Sequence, residues 1–162
     1  MTPNAIRERQ TYASQGGEAS VSPLLPGARR LECREGALLY RDIYFGFRHF
    51  VGQGIVYYDS SPIWAMGYAG GILPTEVDAA ELYEFLRLAL QPVTPERPYR
   101  RPRLLRSRPY LYRDVTHGRV ERFWGIETIT REGHVVHRLR YHGGMLCCPG
   151  LTGCWGGWGS IP

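Results

Sequence analysis

Glu127 is followed along the chain by His137 and His142, and a carboxylate that meets an imidazole is the minimal pair for general base and general acid catalysis. These three are the candidate catalytic residues, with Glu127 as base and either histidine as acid. Nothing in their spacing demands it. The chain has no G-x-S-x-G elbow, no Walker loop and no G-x-G-x-x-G fingerprint. Arg97, Arg100, Arg101, Arg103, Arg106 and Arg108 crowd one stretch, with Tyr99, Tyr110 and Tyr112 interleaved. Guanidinium forks hold phosphates bidentately and tyrosine rings stack on bases, so Arg100, Arg101, Arg103 and Arg106 form a candidate anion site. A solvated loop is the plainer reading, because no recognition helix or RNA-binding motif accompanies these arginines.

His134, His137 and His142 stand near Cys147, Cys148 and Cys154, a set of types that could ligate zinc. The adjacent cysteines point poorly at one ion and no C-x2-C pair exists. His137 and His142 also have opposite parity on a strand. No metal and no cofactor is expected. A third constellation, Tyr44, Gln53, Trp64, Tyr68, Glu127 and Tyr141, would wall a small-ligand pocket if these side chains shared a concave sheet face. Aromatic residues on strands are more often plain core, and that reading comes first.

The elements that must position these residues are organised by a repeat. Phe50 to Ile72 and Phe123 to Met145 superimpose without a gap at a constant offset of 73 (123 − 50). Phe50 meets Phe123, Gly52 meets Gly125, Val56 meets Ile129, Tyr68 meets Tyr141, and Gly70-Gly71 meets Gly143-Gly144. Each copy reads as a β-hairpin, turned at Asp59-Ser60-Ser61 in the first and at Glu132-Gly133 in the second. The apolar skeleton repeats while the polar decoration differs, with Gly54 opposite Glu127, Trp64 opposite His137 and Ala69 opposite His142. The closing glycine pairs are read as bulges or turns in preference to close approaches.

Arg30 to Phe45 adds a leading hairpin about Glu35-Gly36, and the next strand, from Phe47 to Tyr58, is expected to bulge at Gly52 or Gly54. An apolar stripe of Val77, Leu82, Phe85, Leu86, Ala89 and Leu90 predicts a helix over 76–90, capped by Thr75 and ended by Pro92. A further short helix is expected over 4–14. Five prolines between Gln91 and Pro109 read as loop, and 147–162 as a Gly, Trp and Cys tail, disordered at its end. The expected fold is one α+β domain over 1–162 with its core at about 29–146, an antiparallel sheet of about six strands with the one main helix packed on it.

With 162 residues, 43% of them hydrophobic, the chain can bury one core. Its twenty basic residues are all arginine and its net charge is +5, which permits an anionic partner without requiring one. No apolar run is long enough to span a bilayer, and the charged opening stretch lacks a leader's apolar core. A cytoplasmic protein with reduced cysteines and no membrane contact is expected.

TYAS near the amino terminus, LECREGALLYRDIYFG, FVGQGIVYYDSSPIWAMGY, RFWGIETI and RLRYHGGM, in that order, resemble the bacterial domain of unknown function 5680 family over about residues 10–146. The resemblance implies an α+β domain that occurs alone or behind the helix-turn-helix of transcriptional regulators. It carries no established catalytic residues. The chain departs from the family pattern at Gly54, where an acidic residue tends to follow the glutamine. The preferred function is therefore a small-ligand-binding or interaction module of regulatory type, with a DNA-binding partner protein. An enzyme acting on a nucleotide or other anion is the second choice, and non-specific nucleic-acid binding through 97–108 the third.

Overall fold

A computed structural model describes residues 24–90 and 104–146. The helix expected at 4–14, Arg97 to Arg103, and the tail with Cys147, Cys148 and Cys154 lie outside the described residues. Eight antiparallel strands form one continuous sheet. They are β1 (Arg29–Glu35), β2 (Leu38–Gly46), β3 (His49–Tyr58), β4 (Ser61–Ile72), β5 (Leu104–Ser107), β6 (Tyr110–Arg119), β7 (Arg122–Arg131) and β8 (His134–Met145). The helix α1 (Ala79–Leu90) joins the two halves of the chain. The spatial order is β1-β2-β3-β4-β8-β7-β6-β5, so two four-stranded meanders meet where β4 pairs with β8.

The expected α+β class with six strands is thus overturned, since the described residues are mostly sheet, with eight strands and one 12-residue helix among them. One added strand, β5, lies in the proline-rich stretch read as loop. β5 fits between the prolines because it is an edge strand, paired only with β6, and an edge tolerates flanking residues that cannot donate to a ladder. The helix also starts later than expected. Asp78, not Thr75, caps it, with Asp78 Oδ1 accepting the Ala80 N–H at 3.0 Å. Its apolar stripe is as expected, with Leu82, Phe85, Leu86, Ala89 and Leu90 buried against Tyr110, Tyr112, Ile129 and Val136.

The repeat reaches further than its two hairpins. β3 and β4 map onto β7 and β8 at the offset of 73, and β2 maps onto β6 at 72 (114 − 42), because the connection between Gly118 and its partner Phe123 is one residue longer than that between Gly46 and Phe50. Gly46 and Gly118 take matching positive φ of 92° and 90° there. The register shifts fall at Val56/Tyr57 and Ile129/Thr130, again equivalent positions, and not at Gly52 or Gly54. The paired glycines close neither a turn nor a bulge. A side chain on Gly70 would strike the Arg138 carbonyl, and one on Gly71 the Arg48 carbonyl, so they admit the backbone of the neighbouring strands. The same backbone hydrogen bond recurs at each site, Ile72 N–H to Arg48 at 2.7 Å and Met145 N–H to Glu121 at 3.0 Å.

Candidate inner-face chemistry and the outer sheet face

Alternation along each strand sends one set of side chains inward beneath α1 and the other outward. On the inner face each half holds a tyrosine laid over a glycine. Tyr68 lies over Gly52 and donates to Asp42 Oδ1 at 2.7 Å; Tyr141 lies over Gly125 and donates to Asp114 Oδ1 at 2.7 Å. The glycines are required because a Cβ at either position would run into the tyrosine ring. Thr116 donates to Asp114 Oδ2 at 2.7 Å and also meets the Tyr141 hydroxyl. The first half puts Tyr44 in the position of Thr116 (44 + 72).

The halves differ most one step along. Tyr40 in the first half rests its hydroxyl beside Gly54, where a Cβ would come within 2.6 Å of it. Its counterpart Tyr112 donates to Glu127 Oε2 at 2.9 Å. Glu127 Oε1 lies 3.7 Å from His137 Nδ1, and both side chains are 0% exposed. The Phe50 ring sits 6.4 Å from the imidazole. The pair occupies space that Gly54 and Trp64 fill in the other half. The two groups face each other beyond direct hydrogen-bond distance, Glu127 orients Tyr112, and both are closed to solvent and hence to a substrate.

Of the six residues proposed to wall a pocket, Trp64, Tyr68 and Tyr141 belong to the core and Glu127 is buried. Tyr44 is half-buried against the same cluster, while Gln53 is exposed on the opposite face. His137 meets Glu127 as nominated; His142 is exposed on the outer face, next to Gly67. The described loop arginines, Arg106 and Arg108, line a shallow cleft of ≈ 540 Å³ with Tyr110, Thr130 and Glu132, and that cleft does not include Glu127. Among the described residues no group of three His, Cys, Asp or Glu side chains could hold a metal ion.

Two hydroxyls near this core titrate away from their usual range. Burial pushes Tyr83 up to about 12, against the opposing pull of Arg48. Burial and then the Glu81 carboxylate raise Tyr110.

The outer face of the second half carries a set that strand-by-strand reading passed over as water-facing. His117, Trp124 and His142 are direct cross-strand neighbours on β6, β7 and β8. His117 and Trp124 stack with centroids 4.2 Å apart and planes at 20°, and Trp124 is 53% exposed. Arg119, Arg122 and Arg140 flank this ring row two residues along their strands, and Arg113 and Arg138 stand four residues from His117 and His142 on the Arg140 side. All five arginines are exposed. Outward positions on β6, β7 and β8 hold no carboxylate among the described residues. The first half differs, since Glu32 there is clasped by Arg30 and Arg41 and the outward residues Ile43, Val51 and Ile55 of β2 and β3 are apolar. Burial works against the Glu32 charge, but hydrogen bonds and charge from Arg41 and Arg30 outweigh it and hold the carboxyl below its ordinary range. The signal was present as R-x-W at 122–124 and R-x-R-x-H at 138–142; only strand order joins them.

These features define a single-sheet, internally duplicated β domain with a filled inner face and a decorated outer one. The model of the family described as domain of unknown function (DUF5680) matches residues 42–146, and the chain belongs to that family. No curated protein and no solved structure matches it. No described helix is long and apolar enough to cross a membrane.

Proposed function

We propose that this chain is an interaction module, regulatory in role as the family resemblance implies, that binds an anionic partner through the outer face of β6, β7 and β8. The observation that supports it is charge placement: five exposed arginines and two histidines share that face with no carboxylate at its outward strand positions. Clustered charge of one sign raises the local concentration of a counter-charged partner and speeds encounter. Catalysis is the weaker reading, because the nominated base Glu127 and its partner His137 are sealed from any substrate.

Retention on immobilised heparin tests this reading. Reversing Arg138 and Arg140 to Glu should lower the salt needed for elution, whereas reversing Arg29 and Arg34, exposed on the edge strand β1, should matter much less. Equal shifts from the two double variants would mean that only net charge matters and would overturn the assignment to this face.

A further inference from the structure

We infer that the anionic partner is a single-stranded nucleic acid, whose bases stack on the His117, Trp124 and His142 row while its phosphates engage the flanking arginines; this rests on the reading of the outer face given above. A simple polyanion needs arginines alone. Here three planar rings stand in register across adjacent strands, which places them about 4.8 Å apart in the sheet plane. His117 stacks face to face on the indole at 4.2 Å, so it covers one indole face and fixes the ring's orientation, leaving the other face and the ring edge for a base. The indole is 53% exposed, and a stacking base would cover its open face. Gly67 continues the row on β4 with no side chain, and the edge of His142 leans towards it.

The arginines complete the geometry. Arg122 flanks the rings on one side and Arg140 on the other, each two residues along its strand, hence about 7 Å from the row. Arg138 extends the second flank. A strand laid along the rings would meet guanidinium groups on both sides, the combination of stacking platform and basic track that suits unpaired bases. A duplex hides its base faces and would gain only the phosphate contacts. None of the residues of this surface belongs to the 97–108 stretch, so the inference does not rest on those arginines.

Fluorescence anisotropy of the whole chain with labelled oligo-dT and oligo-U of about 12 nucleotides, inside the usual span for such platforms, tests the inference. Duplex DNA and inorganic polyphosphate are the comparison ligands. Both single strands should bind at about 50 mM salt with a log–log salt slope near −0.7 per phosphate contact, and Arg138→Gln with Arg140→Gln should flatten that slope by up to about 1.4. Trp124→Ala should weaken single-strand binding about tenfold or more, with Trp124→Phe recovering most of it. Circular dichroism of each variant shows that the fold is intact, and Trp124→Phe preserves the test if the alanine variant does not fold. Preference for one strand over the other identifies DNA or RNA. Equal binding of polyphosphate and oligonucleotide, with no effect of either Trp124 variant, overturns the nucleic-acid assignment and leaves the anion-binding face standing. Absence of binding to every polyanion overturns both.

Discussion

Tyr68 and Tyr141 face one another across the central β4–β8 pair, and they are the same residue of the repeat (68 + 73). The pseudo-twofold axis of the sheet therefore passes between them. Each carries its hydroxyl away from the axis to an aspartate in its own half, Asp42 or Asp114, at 2.7 Å. The junction of the two meanders is thus pinned by a duplicated tyrosine–aspartate bond.

Removing that hydroxyl should cost more in the second half. Tyr141 is 2% exposed and its hydroxyl also meets Thr116, whereas Tyr68 is 8% exposed. A hydrogen bond to a carboxylate contributes about 1.5–3 kcal/mol. Urea denaturation should place Tyr141→Phe towards the upper end of that range and Tyr68→Phe towards the lower. The reverse order would show that the two halves do not share stability in this way.

The glycine beneath each tyrosine should resist substitution. Gly125→Ala would force its new methyl into the Tyr141 ring, and overpacking of this kind costs about 1–3 kcal/mol. Gly67→Ala, where the nearest atom lies at 3.5 Å in ordinary contact, should be neutral or stabilise by up to about 1 kcal/mol. Thermal melts of the two variants side by side check the contrast.

Glu127 should behave as a structural residue. Glu127→Gln retains an oxygen for the Tyr112 hydroxyl, while Glu127→Leu removes the acceptor now at 2.9 Å and should destabilise by about 1–3 kcal/mol more than the glutamine variant. Equal chemical-denaturation midpoints for the two would mean that the hydrogen bond carries no stability.

Alkali should reveal Tyr83. Its hydroxyl donates to the Phe47 carbonyl and its ring meets Phe47 edge-on at 5.5 Å. Burial raises its titration from 10.0 to about 12, so the folded state holds the proton more tightly than the unfolded chain. That contribution to stability is complete below about pH 10 and is lost as pH climbs through about 12. Stability measured across this window should fall in the wild type, and Tyr83→Phe should remove this component of the slope.

The amino-acid sequence by itself determined the hairpins, the apolar stripe of α1 and the offset of 73, because strand alternation, turn residues and helical spacing are local properties that survive without knowledge of neighbours. It pointed to Glu127 and His137 through their places in the repeat. Only the tertiary structure decided what those places mean. The duplication of β2 in β6 was hidden by one extra residue between Gly118 and Phe123, which shifts the offset to 72 and breaks any constant alignment, although register restores Tyr40 with Tyr112 and Asp42 with Asp114. The strand β5 was hidden by its prolines, since an edge position is a property of the sheet and not of the segment. The ring row of His117, Trp124 and His142 comes from three strands whose order, β6-β7-β8, is set by non-local pairing; parity says which way each side chain points, and pairing alone says which of them meet.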